Sequence, residues 1–210
     1  MKAILATILS IPLSSPVGWE SLNFDKIPAN KIEHTTEGLL VTVNKSAGPL
    51  IYSLKKTSNI LKVEVSGQVQ EGGVKLNLPK KQGLKKYDDF PFRLGLVLEG
   101  KQTLNWFQRK MAPQWVLKMH SLAPKGKGVD RIHFLEVSNS KELIGTKRDH
   151  YLSKYLTEQI VASLKPDGSF VFSTGFNTPL KVIGLWISID GDDTASKYKV
   201  LIKNLTLYQR

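Results

Sequence analysis

Five aspartates fall in two short acidic runs. Asp88 and Asp89 follow Tyr87, and Asp190-Gly191-Asp192-Asp193-Thr194 follows the apolar run of residues 182–189. Carboxylates converging from two loops can accept hydrogen bonds from sugar hydroxyls, coordinate a hard cation such as calcium, or divide general acid and base work on a glycosidic bond. The same residues also suit turns, because aspartate hydrogen-bonds its own backbone. The second run lacks the spacing and distal glutamate of an EF-hand loop. The sequence therefore demands no cofactor, with calcium left as an option.

A second candidate is aromatic and basic: Asn105-Trp106-Phe107-Gln108-Arg109. Trp106 offers a stacking surface for a sugar ring, and Arg109 a forked donor for a carboxylate. Trp115 and Trp186 are read as core, since tryptophan is highly buried on average. His34, His120, His133 and His150 have no close paired spacing, so a zinc site would need long-range convergence. There is no phosphate-binding glycine loop, no nucleophile elbow and no nucleic-acid motif.

The elements that must position these residues read as strands. Val41 and Val43 alternate with Thr42 and Asn44, and Leu61, Val63 and Val65 with Lys62 and Glu64, the period of a half-buried strand. Residues 50–54, 74–78, 92–98, 114–120 and 131–137 read likewise, between turns at Gly48-Pro49, Glu71-Gly72-Gly73 and Pro124–Gly128. Residues 159–172 suggest a hairpin turning at Lys165-Pro166-Asp167-Gly168, and 182–189 a central strand covered on both faces. Asp149 could cap one short helix over 149–156, given the spacing of Tyr151, Leu152 and Tyr155. About ten to twelve short strands with at most one helix predict an all-β fold, a β-sandwich or jelly roll.

With 210 residues the chain can bury a sizeable core as one domain. Its net charge of +12 and pI near 9.7 favour anionic partners, although the lysines are dispersed rather than massed. Cysteine is absent, which excludes disulfides, thiolate metal sites and cysteine catalysis. Met1-Lys2, an apolar run to Leu13 and then Ser14-Ser15 make a signal-peptide pattern, so residues 1–18 are expected to be a leader and 19–210 the mature domain, periplasmic or secreted. No other segment is apolar enough to span a membrane.

Three motifs carry a family resemblance. Tyr87-Asp88-Asp89-Phe90 before a hydrophobic strand containing Arg93, Arg148-Asp149 followed by Tyr151, and Asp190-Gly191-Asp192-Asp193-Thr194 after a buried strand occur in an order that resembles the bacterial exported family known as domain of unknown function three thousand and forty-seven. The chain departs from the family's pattern at Lys86 or Tyr87, Gly191 and Asp193, and around residues 163–176. The resemblance implies a sandwich similar to carbohydrate-binding modules and draws Arg148 into the candidate site. It implies no activity.

Together these readings point to a non-enzymatic exported domain that binds carbohydrate or an anionic envelope polysaccharide, without a nucleic-acid partner. The candidate ligand residues are Asp88, Asp89, Trp106, Arg109, Arg148, Asp190, Asp192 and Asp193. A periplasmic interaction domain is the alternative. A glycan hydrolase or lyase using Asp89 and Asp190 is the third reading, and it requires both carboxylates in one cleft.

Overall fold

The computed structural model describes residues 7–210. The expected leader's first six residues lie outside this range. The strands are β1 (Thr7–Ser10), β2 (Trp19–Ser21), β3 (Lys31–Thr35), β4 (Gly38–Asn44), β5 (Leu50–Gly73), β6 (Phe92–Gly100), β7 (Gly128–Ser138), β8 (Lys147–His150), β9 (Ser153–Ser163), β10 (Ser169–Ser188) and β11 (Lys197–Gln209). Two helices, α1 (Trp106–Met111) and α2 (Gln114–Ser121), lie in the connection between β6 and β7. None of the described helices is long and apolar enough to cross a membrane.

The all-β expectation holds, and two long strands explain how one hydrogen-bonded ribbon makes two layers. The order is β3-β4-β11-β5-β10-β6-β7-β9-β8, with β1 against β11 and β2 against β5. The second half of β5 pairs with β11 and the first half of β10. Its first half pairs with β2 and the second half of β10, which then pairs with β6. Between the halves the register breaks: Ser53 faces Gly184 while Ser58 faces Val182, and Lys55 takes a left-handed backbone at φ 59°. This bulge bends the ribbon over on itself. Phe92 of the back layer consequently stacks on Phe170 of the front layer, ring centroids 5.3 Å apart, inside the main core.

Several boundaries differ from the sequence reading. Residues 50–54 and 60–65 belong to one strand, bent at the Lys55 bulge but not ended by it. Residues 74–78 lie outside the strands. The turn at residues 165–168 forms, with Gly168 N donating to Lys165 O at 2.9 Å, but β9 and β10 do not pair; β9 runs parallel to β7. The helix expected over 149–156 is instead β8, a two-residue turn and the start of β9, with Asp149 opposite Thr157. Residues 114–120, expected as a strand, are helical in α2. Pro113 precedes α2, and Met119 with the partly buried Trp115 and Leu122 packs onto the back sheet at helical spacing.

The expected boundary at residue 18 does not coincide with a structural break. β1 pairs with β11 from Thr7↔Gln209 to Ser10↔Thr206, Ile11 and Leu13 are buried, and Trp19 Nε1 donates to Pro12 O at 2.7 Å.

Candidate functional site

The site is built on the face of the back sheet turned away from the main core. Phe92, Leu94, Leu135, Val137 and Ile187 point into that core, so strand alternation sends Arg93, Gly95, Phe134, Glu136, Trp186 and Ser188 to the opposite face. Ser188, Arg93 and Glu136 share one rung, and Trp186, Gly95, Phe134 and Glu158 the next. Gly95 is required by close approach: a Cβ there would stand 2.7 Å from Ile132 Cγ2 and 2.8 Å from Phe134 Cε1. Across it Phe134 and Trp186 meet edge to face, centroids 5.9 Å apart, and Trp115 of α2 meets Trp186 edge-on at 5.7 Å.

Beside this aromatic wall lies a buried ionic network centred on Arg93. Its Nη1 donates to Asp190 Oδ2 at 3.1 Å, and its Nη2 to Asp88 O at 2.8 Å and to Asp88 Oδ1. The Nε lies 2.9 Å from Glu136 Oε1 but off the hydrogen-bond line, so both Glu136 oxygens are left without a hydrogen bond. Ser188 donates to Asp190 Oδ1 at 2.7 Å. Arg148 Nε donates to Glu158 Oε2, leaving Oε1 buried and unpartnered. The Arg148 guanidinium occupies the space beside Gly83 that any Cβ would fill.

Burial drives the titration of these groups. It pushes Glu136 up to about 8 and Asp190 to about 7, with Arg93 opposing in each case. Burial, reinforced by Asp89, carries Asp192 to about 6. Burial also works to raise Asp88, but Arg93 and His150 outweigh it and hold that carboxyl below its ordinary value. Arg93 stays cationic: burial disfavours its charge, and Asp88, Glu136 and Asp190 more than offset this.

Aromatic wall and ionic network border one cavity of about 390 Å³. Phe24 and Asp25 from the β2–β3 connection, the start of α2, and Tyr151 and Leu152 of the β8–β9 turn complete its walls. Its lining includes seven of the chain's 18 acidic residues (Asp25, Asp88, Asp89, Glu158, Asp190, Asp192 and Asp193) but one of its 30 lysines and arginines, Arg93. A strongly basic chain thus presents an acidic cleft.

The structure brings Asp88, Asp89, Asp190, Asp192 and Asp193 together at this cleft. Arg148 sits just behind it through Glu158. Trp106 and Arg109 are elsewhere, on the exposed α1, where Arg109 Nε donates to Leu104 O at 3.0 Å. At the cleft the aromatic surface is formed by Trp115 and Trp186, both expected as core from tryptophan's average burial. Glu136, Glu158, His150 and Tyr151 were missed as site residues. Glu136 between Leu135 and Val137 is a usable signal, since a glutamate flanked by buried apolar residues needs a partner.

The carboxylates do not suit a metal. Asp88, His150 and Glu158 each offer a donor atom within 4.8 Å of the others. Leu152 N–H donates to His150 Nδ1 at 3.1 Å, however, so the ring proton sits on Nε2, which donates to Asp88 Oδ2 at 2.8 Å. A metal takes an unprotonated ring nitrogen, and arginines already neutralise Asp88 and Glu158. For calcium, Asp89 Oδ2 already accepts from Thr194 N at 2.7 Å and from its hydroxyl, and Asp193 Oδ2 from Asp88 N at 3.1 Å. These bonds staple the two acidic loops together. They also occupy Asp89, while Arg93 and Ser188 occupy Asp190, although both carboxylates do lie in the one cleft.

No family model matches the chain, and no curated protein matches it. Among solved structures it is similar to a xylan-binding module CBM15 at 9% identity and TM-score 0.44, covering 97% of each chain. A mutant of a carbohydrate-binding module of family 29 matches at 10% identity and TM-score 0.36, covering 97% of this chain and 92% of that one. The K2 cleaved adhesin domain of Lys-gingipain matches at 11% identity and TM-score 0.38, covering 96% and 99%. These likenesses are loose.

Proposed function

We propose that the protein binds a carbohydrate in this cleft, as an exported, non-enzymatic domain of the family its motifs resemble. The observation that carries the reading is the placing of an aromatic wall (Phe24, Trp115, Phe134, Trp186) against a carboxylate rim (Asp88, Asp192, Asp193) within one cavity. Sugar rings present an apolar face for aromatic contact and hydroxyls at their edges, which carboxylates accept. Pockets with apolar walls and few convergent polar groups are the usual ligand sites. Two further details support a polar ligand: Trp186 Nε1 and Glu158 Oε1 are buried without hydrogen-bond partners, and such groups reward a ligand or water that meets them.

The acidic lining narrows the ligand class to a neutral or amine-bearing saccharide, since a polyanion would meet like charge in the cleft. A binding panel of neutral, amine-bearing and anionic polysaccharides at low and high salt tests this. Retention of a neutral or amine-bearing glycan that persists in high salt is expected. Retention of anionic polymers alone, abolished by salt, would show that surface lysines and not the cleft do the binding.

A further inference from the structure

The β6–β7 connection projects a second surface that the cleft does not use. On α1, Trp106, Phe107 and Met111 are 70%, 66% and 72% exposed. At about 100° per residue they share one side of the helix with Lys110. The element is well defined: Asn105 Oδ1 accepts from Gln108 N at 2.8 Å and Gln108 Oε1 from Asn105 N at 2.9 Å, a reciprocal capping box. No residue of α1 is buried, so its apolar side chains do not serve the fold.

The charge around it is one-sided. Between Glu99 and Asp130 the sequence holds Lys101, Arg109, Lys110, Lys118, Lys125 and Lys127, and no acidic residue. Lys118 is paired with Glu20 and Lys127 lies 3.7 Å from Glu99. Lys101, Arg109, Lys110 and Lys125 form no ion pair among the described residues.

We propose that α1 docks on the surface of an anionic lipid bilayer. Trp106, Phe107 and Met111 enter the headgroup level, where tryptophan's apolar ring and polar N–H are both satisfied. Lys101, Arg109 and Lys110 meet the lipid phosphates. The position of Lys110 favours this over a sugar platform: its Nζ lies 4.0 Å from the centroid of the Trp106 ring and covers the face on which a sugar would stack. The Lys110 head over the ring has no carboxylate partner among the described residues, so it can turn on its flexible stem to a phosphate at the interface. α1 joins the cleft wall through Ala112-Pro113, so docking would hold the cleft mouth close to the bilayer.

The test is flotation of the full chain with vesicles of phosphatidylcholine alone and of phosphatidylcholine mixed with phosphatidylglycerol. The wild type should float with the mixed vesicles and not with the neutral ones. Trp106→Ser/Phe107→Ser/Met111→Ser and Arg109→Glu/Lys110→Glu should each weaken binding at least about tenfold. These side chains are exposed, so melting temperatures should be unchanged. As a reading independent of those variants, brominated lipid should quench wild-type tryptophan fluorescence, and Trp106→Phe should bind while losing most of that quenching. Absence of flotation, equal flotation of wild type and serine variant, or equal binding to neutral vesicles would overturn the proposal. So would loss of polysaccharide binding in the serine variant without any vesicle binding by the wild type, which would return α1 to a glycan surface.

Discussion

Arg93 and Glu136 face each other on neighbouring strands, Nε 2.9 Å from Oε1, yet the carboxylate receives no hydrogen bond from the guanidinium. Asp88 and Asp190 take the two Nη groups, so the best donors of the arginine point away from Glu136. More carboxylates than cations are therefore buried around one charge, and this excess accounts for both the titration and the mechanical role of the network.

Stability should depend on the protonation of Glu136. Its carboxyl is raised to about 8 when folded, so the native state holds a proton that the unfolded chain loses near the ordinary value of 4.5. Native protons in excess make stability fall as pH rises through that window. Asp190, raised to about 7, acts in the same direction, whereas His120 and His133, lowered from 6.5, act oppositely. Glu136→Gln should therefore flatten the decline in melting temperature between acidic pH and about pH 8 relative to wild type. Parallel pH profiles for the two proteins would show that Glu136 is ionised in the fold.

Removing the central cation should be severe. Arg93→Met leaves Asp88 and Asp190 without their counter-charge in a buried setting, a loss of about 3–5 kcal/mol. Urea denaturation measures it. A change below about 1 kcal/mol would mean that the carboxylates take up protons or water at little cost.

The glycine between the aromatics should not tolerate a side chain. Gly95→Val places atoms where Ile132 and Phe134 already stand, and overpacking of this kind costs about 1–3 kcal/mol. The near-ultraviolet circular dichroism of the Trp115–Trp186–Phe134 cluster should change with it.

Residues 7–18 should contribute to stability. Deleting residues 1–18 removes β1 and uncovers the surfaces against which Ile11 and Leu13 pack, worth about 1.5–3 kcal/mol for each side chain. A truncated protein starting at Trp19 should melt clearly below the full chain. Equal melting would show that the segment is dispensable to the fold, as a cleaved leader must be.

The sequence conveyed the fold class well and its connections poorly. Alternation at Val41/Val43 and Leu61/Val63/Val65 identified strands, because a half-buried sheet imposes a period of two. It could not reveal that β5 and β10 each serve both layers, since a bulge at Lys55 leaves no mark in residue type. The aspartate loops were legible because Asp and Gly gather where turns form, and the structure does bring them to one rim. Trp115 and Trp186 are core as expected, but burial and site are not exclusive: both pack against the sheet and line the cleft as well. Trp106 was chosen for its polar neighbours, which reported exposure rather than a cavity. The pairing of Asp88 with His150, 62 positions apart, is a product of topology alone.

The most direct test of the account is equilibrium binding of the best glycan from the panel to wild type, Tyr151→Ala, Asp192→Ala and Trp106→Ala. Tyr151 and Asp192 line the cleft, and Trp106 lies outside it. Each cleft variant should weaken binding about tenfold or more while Trp106→Ala binds as wild type does. Loss of binding in Trp106→Ala with both cleft variants intact would contradict it.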